Sequence, residues 1–288
     1  MTLKHYTDLI RLKTSFMVGV ACALGMWLAV KENNLLSQLE LPTLFAKAIL
    51  GLIIGFSLSG ALNCFNDVQD VEIDKALKPE RVLAQGLVSK AQASLFSALL
   101  VLLGVLCSLL LHPPTLVLVG LLVILGLGYS LYLQNIPLLK NVIVALSLSS
   151  SLFVGAWAVL EELPLSSSQV LAVTLLTLTG IILFELHKDI GDVEEDIRHG
   201  KVTVPALVGE KSSALLVYSL YWVVMSFFWL YLFIYNWTII SWLLVVIQLF
   251  LLVLSGRLVK ETTPASIERS RVSVYALFAV TLVFLFFT

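Results

Sequence analysis

The chain has 288 residues, of which 59% are hydrophobic and only 13% charged, with 18 Lys and Arg against 19 Asp and Glu. A soluble domain carries about a quarter charged residues, so this composition excludes an ordinary soluble protein and points to a chain dissolved in a bilayer. The net charge of −1 is uninformative; what matters is where the charges stand.

Apolar runs of about 20 residues are the mark of membrane-spanning helices, and nine can be read along the chain, at 14–31, 43–66, 91–111, 114–133, 139–160, 169–188, 213–235, 237–255 and 270–287. The first follows HYTDLIRLK with no small-residue cleavage site behind it, so it is read as a retained helix. The second runs into the acidic stretch NCFNDVQDVEIDKALKPERVLAQG, 63–86. HPPT (112–115), QNIPLLKN (134–141) and EELPLSSS (161–168) punctuate the next spans with proline and polar residues. Tyr129, Ser130 and Asn135 close the fourth span and read either as interfacial anchors or as ligand contacts. Lys140 and Asn141 open the fifth, where a lysine can equally snorkel to the interface. The sixth ends in a second acidic stretch, KDIGDVEEDIRHGKVTVP, 188–205. Glu185, one turn before Asp189, is a candidate support for it, with His187 beside it. YWVVMSFFWLYLFIY (221–235) reads as lipid-facing and interfacial, and the split near Asn236 is the weakest of the set. His112, Glu161 and Glu162 read as solvated loop residues. Cys22, Cys64 and Cys107 lack metal-ligand spacing and read as packing residues.

With nine spans and a cytoplasmic N-terminus, sixteen of the 18 Lys and Arg fall on the inner side, leaving Lys31 and Lys47 outside. That partition follows the positive-inside rule. It makes the chain a single multi-pass integral-membrane domain over 1–288, all-α, with similar acidic segments at 63–86 and 185–205.

Those segments repeat one spacing. Asp67, Asp70 and Asp74 stand at 0, +3, +7, and so do Asp189, Asp192 and Asp196. On an α-helix this aligns three carboxylates on one face, with Asn63 and Asn66 extending the first stripe backward. Both stripes lie at the cytoplasmic ends of even-numbered spans. Like charges so spaced repel unless a cation sits among them. Mg²⁺ is the natural choice, since it is bound by a few carboxylates together with phosphate oxygens and water. Two such stripes can hold a diphosphate, whose remaining charge Lys78, Arg81, Lys188 and Lys201 can neutralise.

NDVQDVEID (66–74) resembles the NDxxDxxxD signature of the UbiA-type intramembrane prenyltransferases, and DIGDVEED (189–196) resembles their second motif. KPERVLAQG, YS…PLLKN and GKVTVP are similar to three further segments of that family, in the same order. The resemblance implies nine helices around a central cavity with its active site on the cytoplasmic side, Mg²⁺ as cofactor and a polyprenyl diphosphate donor. It implies Asn66, Asp70, Asp74, Asp192 and Asp196 as the catalytic metal and diphosphate set, with Asn63, Asp67 and Asp189 alongside, and Arg81, Lys140 and Tyr129 at family positions. Lys78 stands where arginine is usual, losing a bidentate contact, and VLAQG replaces a proline-rich run, implying a looser loop. The chain looks most like the archaeal ether-lipid branch, which joins geranylgeranyl diphosphate to geranylgeranylglyceryl phosphate; aromatic acceptors are the alternative. The expected partners are the donor, a lipid-soluble acceptor and membrane lipid, with no nucleic acid and no obligate protein. Two rivals from other classes remain: a cation transporter, which would place its carboxylates near mid-span on broken helices, and a scaffold or assembly protein, which would need no paired stripes.

Overall fold

The computed structural model describes residues 3–160, 164–198, 202–235 and 238–287. Glu161, Glu162, Lys201 and Asn236, all singled out above, lie outside the described residues. The chain forms two compact units, Met1–Gln134 with Leu146–Thr174 and Asn135–Ala145 with Leu175–Thr288.

The first unit opens with α1 (Leu3–Leu9), α2 (Leu12–Glu32), α3 (Leu41–Gln69) and α4 (Val71–Leu77), followed by α5 (Lys90–Leu109) and α6 (Pro113–Leu131). α7 (Leu139–Trp157) and α8 (Ser168–Gly191) contribute residues to both units. The second unit continues with α9 (Val193–Arg198), α10 (Val204–Val208), α11 (Glu210–Tyr235), α12 (Ile239–Ser255), α13 (Arg257–Lys260) and α14 (Pro264–Phe287). Each of the nine apolar runs is therefore helical. Among the described residues seven helices are long and apolar enough to cross a membrane: α2, α3, α5, α6, α7, α8 and α11. α12 has 17 residues, and α14 carries Glu268, Arg269 and Arg271 near its start.

Without a hydrophobic force between helices in lipid, close packing relies on small side chains. In the first unit a methyl group on Gly25 would overlap the Leu152 carbonyl, and one on Gly155 would overlap the Cys22 carbonyl, so α2 and α7 meet backbone to backbone. α2 meets α3 similarly, where a Cβ on Gly55 would lie 2.7 Å from the Val18 carbonyl oxygen. Cys22, Ile54, Leu58, Cys107, Val119 and Val154 fill the core between these helices. All three cysteines are free and buried, as packing residues are. Glu32, the last residue of α2, reaches the start of α8. Its Oε1 accepts from Ser168 N at 2.9 Å and its Oε2 from Gln169 N at 3.1 Å, supplying a carboxylate to backbone N–H groups that a helix start leaves unpaired.

In the second unit α12 packs on α14, and a buried polar chain joins three helices. Trp229 Nε1 donates to Gln248 Oε1 at 2.7 Å, and Gln248 Nε2 donates to Thr281 Oγ1 at 2.6 Å. Interhelical hydrogen bonds of this kind hold membrane helices together where apolar burial cannot.

Candidate active site

Both acidic motifs depart from the single straight helix that their spacing predicts. α3 ends at Gln69, Asp70 takes φ −86° and ψ 2°, and α4 starts at Val71. α8 ends at Gly191 and α9 starts at Val193, so Asp192 is the interruption there. The backbone ladder is kinked and not abolished. Asp70 N bonds Asn66 O at 2.9 Å and Asp74 N bonds Asp70 O at 2.8 Å; Asp192 N bonds Lys188 O at 3.2 Å and Asp196 N bonds Asp192 O at 2.8 Å. Aspartate is a poor interior helix residue because its short carboxylate competes for nearby backbone groups, and repulsion at i, i+3 adds to that. The breaks follow 29 and 24 helical residues, at the ends of the spans, not at the mid-span depth the transporter reading requires.

The breaks sort the aspartates by partner. Asp67 is 6% exposed, and its Oδ1 accepts from Arg11 Nη2 at 2.9 Å and Arg81 Nη1 at 3.0 Å. Asp74 is also buried, and its Oδ2 lies 2.5 Å from the same Arg81 nitrogen. Asp189 is 4% exposed, with Lys140 Nζ 2.7 Å from Oδ1 and Asn141 Nδ2 3.0 Å from Oδ2. Burial of a carboxylate is tolerated where a cation and hydrogen bonds meet it. Asp70 is treated differently: Asn66 Nδ2 donates to its Oδ2 at 2.8 Å and Gln134 Nε2 to its Oδ1 at 3.1 Å. Both donors are neutral, and no described Lys or Arg pairs with it. Asp192 is exposed and ion-paired to no described residue.

The remaining candidates divide. Asn63 turns its amide to the Ile10 carbonyl at 3.4 Å, a contact to backbone. Lys188 pairs with Glu185 at 3.4 Å, so Glu185 supports the lysine. Lys78, Tyr129 and Asp196 are half-buried. Arg11 adopts a left-handed backbone, φ 50°, between α1 and α2, and that turn delivers its guanidinium to Asp67. A cavity of about 210 Å³ lies beside Arg11, Asp67, Glu80 and Arg81. On α4, Glu72 is held below the usual carboxylate range by hydrogen bonds from Lys75 and Lys90.

The segment after α4 is better fixed than the loss of prolines implies. Gly86 N bonds Leu83 O at 3.0 Å and Leu87 N bonds Val82 O at 3.1 Å, with Gly86 at φ 70°. Val82, Leu83 and Val88 are buried with Leu9, Cys64, Val71 and Ala93, so apolar anchoring does what the prolines would have done. Arg81 is thereby presented to Asp67 and Asp74.

In the first unit the amide and carboxylate oxygens of Asn66 and Asp70 are donors of the kind that suits a hard cation such as Mg²⁺, and in the second unit Asp192 is a donor of the same kind. Among the described residues no three acidic, His or Cys side chains converge on one point. Sequence reasoning passed over Gln134, whose QNIP context reads as punctuation, and it paired neither Arg11 nor Asn141 with an aspartate. Their partners lie 64, 56 and 48 residues away, beyond any local pattern.

The model of the UbiA prenyltransferase family matches residues 17–286. The digeranylgeranylglyceryl phosphate synthase of Methanosarcina mazei is 32% identical over 222 residues, covering 74% of this chain and 74% of the relative. A solved structure described as giving insights into digeranylgeranylglyceryl phosphate synthase in membranes superposes with a TM-score of 0.77 at 23% identity, over 99% of this chain and 97% of the other. A UbiA homolog from Archaeoglobus fulgidus bound to DMAPP and Mg²⁺ superposes with a TM-score of 0.68 at 18% identity, over 96% and 98%.

Proposed function

The chain belongs to the UbiA prenyltransferase family, and from that premise we propose that it transfers a geranylgeranyl group from its diphosphate to geranylgeranylglyceryl phosphate, in ether-lipid synthesis. It is a membrane-embedded prenyltransferase. The resemblance to the Methanosarcina enzyme supports the acceptor. We further assign it nine spans acting as one domain, a cytoplasmic N-terminus and a cytoplasmic site, supported by the sixteen basic residues that fall on one side.

The observation that carries the mechanism is the sorting of carboxylates. Asp67, Asp74 and Asp189 are neutralised by the chain's own cations, while Asp70 and Asp192, at the two breaks, keep their charge for an external one. Asn66, Asp70, Asp192 and Asp196 are proposed to hold Mg²⁺; Asp74, expected among them, is taken up by Arg81 and joins Asp67 and Asp189 in anchoring the basic side chains around the ion. Bound Mg²⁺ would act as a Lewis acid, taking up the charge of the departing diphosphate. Lys78, Arg81, Lys140, Lys188 and Lys201, with Asn63 and Tyr129, are assigned to binding the diphosphate and orienting it. The C1–oxygen bond of the donor breaks, and the free glycerol hydroxyl of the acceptor attacks C1, forming the ether and releasing its proton. Apolar helix faces keep water from the allylic carbon, where hydrolysis would compete.

Purified protein given labelled geranylgeranyl diphosphate and Mg²⁺ should form labelled ether lipid with geranylgeranylglyceryl phosphate and none with 4-hydroxybenzoate. The reverse preference would replace the acceptor assignment, and turnover of neither would defeat it.

A further inference from the structure

Asn66 and Asp70 do not hold their orientation alone. Ser130, the last residue but one of α6, is buried and donates through Oγ to Asn66 Oδ1 at 3.3 Å. Gln134, one turn on, spends one amide hydrogen on the Ser130 carbonyl at 3.0 Å and the other on Asp70 Oδ1 at 3.1 Å. The first bond occupies a carbonyl that the end of a helix leaves free, and it fixes the direction of the second. Asn66 Nδ2 to Asp70 Oδ2 completes the circuit. The end of α6 thus grips both side chains at the kink between α3 and α4, within the first unit.

The chemistry of the grip matters as much as its geometry. Elsewhere in the two motifs an arginine or lysine meets the buried carboxylate, whereas Asp70 is met by amides. An amide orients a carboxylate without cancelling its charge. A lysine in the place of Gln134 would orient it equally and leave it nothing for a divalent cation.

We propose that Gln134, assisted by Ser130, is a positioning residue for metal binding: it holds Asp70 and Asn66 in a metal-ready orientation while leaving the Asp70 charge intact. The inference rests on the assignment of Asp70 to the metal made above. Groups that orient metal ligands from behind change affinity by about 10–100-fold when removed.

The test reads binding, with no turnover. Full-length protein in detergent is titrated with Mn²⁺, with the free ion followed by EPR, in the presence of a non-hydrolysable geranylgeranyl thiolodiphosphate. Gln134→Met, which keeps the bulk and removes both donors, should weaken Mn²⁺ by about 10–100-fold with an unchanged thermal midpoint. Gln134→Lys should remove binding altogether, Ser130→Ala should weaken it, and Ser130→Thr should restore it. Should Gln134→Met fail to fold, Gln134→Lys and Ser130→Ala decide on the same readout. A Gln134→Lys protein that binds Mn²⁺ like the parent overturns the proposal. Asp70→Asn separates the two levels: if it loses Mn²⁺ while the Gln134 and Ser130 variants do not, only the positioning role falls, and if it too binds like the parent, the metal assignment falls with it.

Discussion

Asp70 and Asp192 hold the same place in their helices: each is the single residue between a long helix and a short one, and each accepts a 2.8 Å backbone bond from the aspartate four residues on. Among the described residues neither is ion-paired. Asp70→Asn and Asp192→Asn keep size and remove the charge, at the cost at Asp70 of one of its two acceptors. Each should lower single-turnover transfer by about a thousand-fold, the equivalent of about 4 kcal/mol of lost charge stabilisation. Thermal unfolding in detergent should stay at the parent midpoint, and transfer at the parent rate by both variants would end the metal assignment.

Arg81 does a different job. Its Nη1 serves Asp67 and Asp74 at once, and all three side chains are shielded from solvent, at 21%, 8% and 7% exposure. Removing it strands two buried carboxylates, of which Asp67 retains Arg11. Breaking a buried pair from one side costs about 3–5 kcal/mol. Arg81→Met should therefore lower stability by about 3 kcal/mol, read from denaturant unfolding in detergent. Combining it with Asp74→Asn should recover part of that loss, because the second change removes a charge the first has orphaned. A double variant no more stable than the single one would show that Arg81 acts through something other than charge pairing.

Metal removal gives a prediction independent of mutation. With excess chelator, transfer from geranylgeranyl diphosphate should vanish, and added Mg²⁺ should restore it. The protein itself should keep its thermal midpoint when chelated and without donor, since Asp67, Asp74 and Asp189 are already neutralised internally. A large loss of stability on chelation alone would mean the ion is structural.

The helices were legible in the sequence because lipid demands long apolar runs, and each of the nine runs is helical in the structure. The two stripes were legible because 0, +3, +7 is a helical period. The same period hid the kinks: spacing reports which residues share a face of an unbroken helix and says nothing of where the helix yields. The partners were hidden for another reason. Arg11, Gln134 and Lys140 reach Asp67, Asp70 and Asp189 across 56, 64 and 49 residues, so only helix packing decides which carboxylate meets a guanidinium, an ammonium or an amide. The run VLAQG lacks the prolines that would mark a rigid turn, and its rigidity comes from burying Val82 and Leu83, which no local pattern reveals.

The close approach of α2 and α7 offers a test of packing away from the chemistry. Gly25 and Gly155 each face a backbone carbonyl of the other helix with no room for a methyl group. Backbone cannot move aside as a side-chain tip can, so Gly155→Ala must separate the helices. Overpacking of this kind costs about 1–3 kcal/mol or more. A lower thermal midpoint is expected, with Mn²⁺ binding in whatever folded protein remains; an unchanged midpoint would show that the helices part without cost.

Glu32, an acid at the end of α2, joins two segments far apart in the chain. Its two oxygens accept from the backbone N–H of Ser168 and Gln169 and from the hydroxyls of Ser167 and Ser168. A side-chain cap at a helix start is worth about 0.5–2 kcal/mol, and a charged acceptor at the positive end of the helix dipole adds to that. Glu32→Ala should cost about 2 kcal/mol. Glu32→Gln retains one good acceptor and should cost about half as much. The effect should appear as faster proteolysis near residues 164–168 as well as a lower midpoint, because the start of α8 loses its cap. Equal stability of Glu32→Ala and the parent would show that water caps α8 as well as the carboxylate does.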